Sequence, residues 1–317
     1  MQTTREVIPD VEYLFFSEEH SHATEQKLVK DDIDRVIDTI DRIVFVEDEV
    51  TTGKTILNII NILIQQYSER IKFSVASVLN GMDGSALETY QKRGIELFWL
   101  VKTNHAAYTE VAESYKGDGS YIVCKDDGAP ESDICVIEQL ENKILEKDAL
   151  VKNAVKSDKG NCPESDGMVF IKTDRYMDTR RMINPEEYAE YCEWLYREII
   201  RQINLDSVQN LLVLGTEEFM YPALYVADRL EAQGKAVRFH ATTRSPIAVS
   251  AEEDYPLHTR YQLKSLYDCK RTTYVYDLQK YDTVVIITDA KGEMAEGICS
   301  LVHALKLCGN ERINFVY

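Results

Sequence analysis

The sequence predicts an α/β protein built from two parallel-sheet domains. Short apolar runs of strand length alternate with longer stretches whose apolar residues recur at helical spacing, which is the signature of strands joined by helical crossovers. This alternation occurs twice, before residue 113 and after residue 167, on either side of a polar stretch punctuated by Gly and Pro. The length of 317 residues suits about two domains of ~150 residues each. The expected division is therefore 1–113, a linker or insertion over 114–166, and 167–317.

In the first domain, residues 1–42 are polar and acidic and include Glu18-Glu19-His20-Ser21-His22-Ala23-Thr24-Glu25. Ile33, Val36, Ile37 and Ile40 predict a helix within Asp31 to Ile43. Ile43 to Val46 is a short apolar run of the kind a buried parallel strand uses. Ile56 to Tyr67 follows as a mostly apolar helix. Phe73 to Leu79 and Ile95 to Val101 read as further strands, with a short helix over Ala86 to Arg93 between them. The connecting region holds Gly117, Gly119, Gly128, Pro130, Gly160, Pro163 and Gly167, and Glu138 to Val155 has the weak apolar face of one helix.

The second domain opens on Asn184-Pro185-Glu186-Glu187. This is an N-cap, a proline at the first helical position, and acids at the positive helix end. Tyr188, Tyr191, Cys192, Leu195, Ile199 and Ile203 continue that helix. Leu211 to Leu214 is a strand, Met220 to Gln233 a helix closed by Gly234, and Ala236 to His240 another strand. Tyr274 to Tyr276, Thr283 to Asp289 and Ile313 to Val316 complete the strands, with a helix over Met294 to Leu307.

Composition narrows the function classes. A hydrophobic content of 44% and a charged content of 28% are ordinary for a globular protein. A net charge of −18 argues against non-specific nucleic-acid binding, which needs Lys and Arg against phosphates. The seven cysteines form no CxxC pair, so neither a disulfide framework nor a zinc site is indicated. No apolar run reaches the ~18 residues of a membrane-spanning helix, and residues 1–42 lack a signal-peptide apolar region. The expectation is a cytoplasmic protein with reduced thiols and without nucleic-acid or membrane partners.

The chemistry concentrates in Val44-Phe45-Val46-Glu47-Asp48-Glu49-Val50-Thr51-Thr52-Gly53-Lys54-Thr55. A strand, an acidic pair, a hydroxyl-rich glycine turn and a helix together describe a ligand site at the carboxyl end of a strand. Backbone N–H groups of the turn and helix start suit a phosphate. Paired carboxylates suit vicinal hydroxyls or a Mg²⁺ bound to them. A ribose 5-phosphate carries both features. Gly53-Lys54-Thr55 also reads as the end of a P-loop, but that motif needs glycine at position 48, where Asp48 stands.

A second set lies where three strands of the second domain end: Glu217 and Glu218, then Thr242, Thr243, Arg244 and Ser245, then Asp289. Carboxyl ends of parallel strands converge on a ligand crevice. A guanidinium offers a fork of donors to a phosphate or carboxylate. On that reading Arg244 grips an external anion; the alternative is a structural ion pair.

The first stretch resembles the PRPP-binding motif of the type I phosphoribosyltransferases, which runs from apolar residues through two acids to Thr-Gly-x-Thr. Thr243-Arg244-Ser245-Pro246, with Gly215-Thr216-Glu217-Glu218-Phe219 and Tyr255-Pro256-Leu257, resembles the TRSP domain that follows a phosphoribosyltransferase domain in its family. The resemblance implies two Rossmann-like domains and Mg²⁺-dependent attack of an unidentified small-molecule acceptor on PRPP. It implies that Glu47 and Asp48 hold the ribose hydroxyls or the metal, and that Thr51, Thr52, Gly53, Lys54 and Thr55 cradle the 5-phosphate. Thr51 stands where purine-salvage relatives carry a catalytic Asp. His20 or His22, in the segment matching the mobile loop, would contact pyrophosphate or act as acid.

Only 42 residues precede the motif, so a missing amino-terminal portion is expected, with a partner chain or second copy completing the first domain. The family's association with tellurite-resistance and stress clusters implies synthesis of a nucleoside-like metabolite. Two other readings stand beside this one: a non-catalytic subunit that senses PRPP or a nucleotide, and catalysis lodged mainly in the second domain.

Overall fold

The computed structural model describes residues 1–16, 26–67, 70–125, 137, 167–291 and 294–317. The helix expected over Glu138 to Val155 and the histidines His20 and His22 lie outside the described residues. The chain forms two compact units: Met1–Ser114 with Thr179–Ile183, and Tyr115–Asp178 with Asn184–Tyr317.

In the first unit, strands β1 (Tyr13–Phe16) and β2 (Gln26–Val29) pair antiparallel and lead into the short helix α1 (Lys30–Val36). This helix stops well before Ile43, because both the N–H and the hydroxyl of Thr39 bond the carbonyl of Val36 and close it. Strands β3 (Arg42–Val50), β4 (Lys72–Asn80) and β5 (Glu96–Lys102) then form a parallel sheet in that order. The crossovers are helices α2 (Lys54–Gln66) and α3 (Gly84–Lys92); α4 (Tyr108–Ser114) follows β5. Strand β3 runs past the expected Val46, since Glu47, Glu49 and Val50 pair with Ser77, Leu79 and Asn80.

Alternation along these strands separates two faces. Phe45, Phe73, Val75, Ile95 and Leu97 pack against Ile56, Ile59, Ile60 and Leu63 of α2. The opposite face carries Val44, Val46, Val78, Phe98 and Leu100, and Val46 and Leu100 are 78% and 81% exposed. Parallel sheets ordinarily have helices on both faces; here one face is apolar and bare among the described residues.

Thr179–Ile183 belongs to the first unit through Asp32. Its buried carboxylate accepts from Arg181 Nε at 2.8 Å, Arg181 Nη2 at 2.7 Å and the Met182 N–H at 2.7 Å, and pairs with Arg35. A buried carboxylate needs such partners, and a segment distant in sequence supplies three of these bonds.

The second unit has a five-stranded parallel sheet in the order β7 (Met168–Ile171), β13 (Ile313–Val316), β12 (Thr283–Ile287), β8 (Asn210–Thr216), β9 (Ala236–Thr242). Leu211, Val213, Val285 and Ile287 face helices α5 (Pro185–Gln202) and α6 (Tyr221–Glu231). Leu212, Leu214, Val284 and Ile286 face α7 (Ala295–Leu307) and a smaller sheet of β11 (Thr272–Tyr276), β10 (Thr259–Lys264) and β6 (Ser120–Val123). Both faces of this sheet are covered, as expected for a doubly wound fold. Strand β6 falls in the stretch read from sequence as a linker, but it pairs parallel with β10. Asn184 caps α5 as expected, accepting from the N–H groups of Glu186 and Glu187.

Candidate active site and its relatives

The glycine turn sits at the carboxyl end of β3. Gly53 adopts φ +74 and caps α2. Tyr90 of α3 reaches under it, and its hydroxyl donates to the Gly53 carbonyl at 2.6 Å. A Cβ at Gly53 would lie 2.8 Å from that hydroxyl, so both the left-handed backbone and the close approach require glycine. Burial, with Glu47 nearby, pushes the Tyr90 phenol well above its ordinary range. It stays a neutral donor under the turn.

Beside the turn is a cavity of ≈ 440 Å³ lined by Thr51, Thr52, Lys54, Gly81, Asp83 and His105, among others. That volume is within the ~300–1,000 Å³ of small-molecule sites. The second wall is the β4–α3 turn. Asp83 caps α3 by accepting the Ala86 N–H at 2.7 Å. Lys102 donates to the carbonyls of Asn80, Met82 and Thr103 and ties this turn to the end of β5. The third wall is His105. Its Nε2 lies 2.9 Å from Thr103 Oγ1 and 3.2 Å from Glu49 Oε1, and its ring stacks on Tyr108. A Cβ at Gly81 would fall 2.0 Å from the imidazole, so glycine there gives the ring its place.

The structure therefore brings Thr51, Thr52 and Lys54 to the cavity with the start of α2. Thr55 is in the first turn of α2. The acidic pair is divided. Because β3 continues through it, Glu47 points to the helix-covered face and Asp48 to the other. The Asp48 carboxylate accepts the Glu49 N–H at 2.8 Å. Glu47 and Glu49, two residues apart, share a face. Ser77 pairs with Glu47 across the sheet, and its buried hydroxyl has no hydrogen-bond partner among the described residues. Sequence reasoning missed His105, Gly81 and Asp83, although the predicted strands ending at Leu79 and Val101 place them at the same edge.

Comparison with known families adds to this geometry. Residues 1–108 match the family described as phosphoribosyl transferase, and residues 180–305 match the family described as the TRSP domain, C-terminal to that transferase. The chain joins a phosphoribosyl transferase domain to a TRSP domain. No curated protein and no solved structure matches it.

Members of the transferase family generally use Mg²⁺. Among the described residues no three His, Cys, Asp or Glu side chains converge as a metal cage. Mg²⁺ commonly takes one or two carboxylates and completes its shell with substrate phosphates and water. Glu47 and Glu49 on one face, next to the orphan Ser77 hydroxyl, fit an ion that arrives on its substrate.

In the TRSP domain the residues expected to form one anion site fall into two groups. Glu217 follows β8 with φ +45 and a side chain only 2% exposed. Its N–H donates to Thr242 Oγ1 at 3.1 Å. Its carboxylate accepts from Arg244 Nε at 2.8 Å, from Arg271 Nη1 at 3.0 Å and from the Ser265 hydroxyl. Arg244 Nη2 also meets Glu218 at 3.3 Å. Arg244 thus stands in an ion-pair network with Glu217 and Glu218. A buried carboxylate demands a counter-charge, and Arg244 supplies it. Thr243 pairs with Tyr274 and accepts the Ser245 N–H, which shapes the turn behind Arg244. Arg271 and Ser265 are 54 and 48 residues from Glu217 and carry no local sequence signal. Asp289 follows β12 and accepts from Tyr267, whose hydroxyl also bonds Thr216 at the end of β8.

Proposed function

We propose that the first domain transfers a phosphoribosyl group from PRPP to a small acceptor, with Mg²⁺ carried on the pyrophosphate. The observation that carries this reading is the Thr51–Lys54 turn at the amino end of α2, opening on a cavity of substrate size in a domain of phosphoribosyl transferase type. The N–H groups at the start of α2 and the Thr52 hydroxyl receive the 5-phosphate. Glu47 and Ser77 take the ribose hydroxyls, while Asp48, the second acid of the motif, faces the other side of β3. Bound Mg²⁺ would neutralise charge on the departing pyrophosphate.

The acceptor attacks the anomeric carbon, the bond to pyrophosphate breaks, and the acceptor's proton must leave. His105, held by Glu49 and Thr103, is positioned to take it. The acid role expected of His20 or His22 belongs to this reading too. The family's link to tellurite resistance and stress implies that the product is nucleoside-like.

The test is pyrophosphate release from PRPP with a panel of nitrogen-heterocycle acceptors. Release should require the wild-type turn and fall at least tenfold in Lys54→Met with Thr52→Val. PRPP binding without release under any acceptor would support the regulatory reading. Undiminished release in the turn variant would overturn the assignment.

A further inference from the structure

A second crevice lies wholly within the second unit. It is formed by the residues that follow β7 and β12, at the carboxyl edge of the five-stranded sheet. Its floor is buried: Thr288 and Asp289 are 4% and 8% exposed. The Asp289 carboxylate is oriented by two phenols, accepting from Tyr267 on one oxygen and from Tyr176 on the other, the latter at 3.2 Å. Tyr267 also bonds Thr216 at the end of β8, and Thr216 bonds Thr288 at 2.9 Å. The floor is thereby fixed to the neighbouring strand end.

Its rim is cationic. Lys172, Arg175 and Lys291 line the opening, with Asp174 beside them. The Lys291 ammonium lies 4.0 Å above the Tyr176 ring, and the Arg175 guanidinium faces the Trp194 ring at 5.5 Å. These aromatic platforms set where the charges stand. In a chain of net charge −18, three cations over one small crevice form a local exception. Tyr191 adds a flat apolar wall, and burial keeps its phenol neutral by pushing it well above its ordinary range.

We propose that this crevice, with Lys172, Arg175 and Lys291 above the buried Asp289, binds a small sugar phosphate. The phosphoryl group meets the cations at the rim, where charge-assisted bonds to phosphate are strong. The sugar hydroxyls reach the carboxylate on the floor, and the sugar face lies against the tyrosines. A bare anion would be repelled by Asp289. A polyol without phosphate would leave the rim cations unused. The cavity of ≈ 170 Å³ is below the ~300 Å³ of drug-sized pockets, so the ligand is about the size of a pentose phosphate and not a dinucleotide. The assignment stands on this crevice alone. The transferase reading adds only that the first domain's substrate and product belong to the same chemical class, which places the TRSP domain in the handling of a phosphoribosyl compound.

The test is calorimetric titration of the full chain with ribose 5-phosphate, inorganic phosphate and ribose. The Lys172→Met, Lys291→Met pair should weaken one ribose 5-phosphate site by about tenfold or more and leave the other intact. The Thr52→Val, Lys54→Met pair in the first domain should do the reverse. Asp289→Asn should bring ribose 5-phosphate down to the affinity of inorganic phosphate without weakening inorganic phosphate itself. The proposal is overturned if the rim pair leaves ribose 5-phosphate binding unchanged in both the wild-type and the turn-variant backgrounds. Equal binding of inorganic phosphate and ribose 5-phosphate, indifferent to Asp289→Asn, also overturns it and leaves a plain anion site. A single site lost only in the rim pair would support this proposal and count against the transferase reading; a single site lost only in the turn pair would do the opposite.

Discussion

Replacing Gly53 by alanine tests whether the turn is built as described. Gly53 has φ +74, where an L-residue costs about 1–2 kcal/mol. The new methyl would meet Met82 Cε at 2.6 Å, the Tyr90 hydroxyl at 2.8 Å and Tyr90 Cε2 at 2.9 Å. The methionine end can swing away. The tyrosine cannot move without stretching its 2.6 Å bond to the Gly53 carbonyl, so overpacking adds about 1–3 kcal/mol. Lower entropy of the unfolded alanine chain returns about 0.4–1 kcal/mol. The net loss is about 2–4 kcal/mol. The chain has two tryptophans, Trp99 in the first unit and Trp194 in the second, so urea unfolding in a Trp194→Phe background reports the first unit. With a slope of about 1–3 kcal/mol per molar, the midpoint should fall by about 1–2 M. In a Tyr90→Phe background the same substitution should cost less, because the hydroxyl that clashes is gone. A loss under about 0.5 kcal/mol, or strict additivity of the two substitutions, would refute the reasoning.

Further outcomes are expected elsewhere. Asp32→Asn removes the buried charge that holds Arg181 and the Met182 N–H; it should destabilise the first unit by about 3–5 kcal/mol and open residues 179–183 to proteolysis, both read on the same variant. Arg244→Met should lower the melting stability of the TRSP domain by about 1.5–3 kcal/mol, with Arg271→Met non-additive to it because both engage Glu217; unchanged stability would dissolve the ion-pair assignment. Burial lowers the His240 imidazole, against the pull of Asp277. The unfolded chain then takes up that proton more readily than the folded one, so stability is full above the ordinary value of ~6.5 and is lost as pH falls below it. His240→Gln should flatten that part of the melting profile, and an unchanged profile between pH 7 and 5 would count against it.

The sequence by itself determined the α/β class, the two-domain order and the strand–turn–helix at residues 43–67, because these rest on local periodicity and turn chemistry. Apolar runs at Leu211–Leu214 and Thr283–Ile287 read as buried strands, and Gly53 as a turn. Tertiary structure alone decided three matters. Pairing of Glu47 and Glu49 with β4 carried β3 through the acidic pair, and alternation then sent Asp48 to the opposite face. Burial of Glu217 recruited Arg244 together with Arg271, turning a motif arginine inward to a carboxylate of its own chain. The carboxyl ends of β7 and β12, more than 100 residues apart, met across β13 to set Lys172 and Arg175 beside Asp289. A sequence displays which residues carry charge, but desolvation and strand register are properties of the folded chain, and those two effects chose each partner.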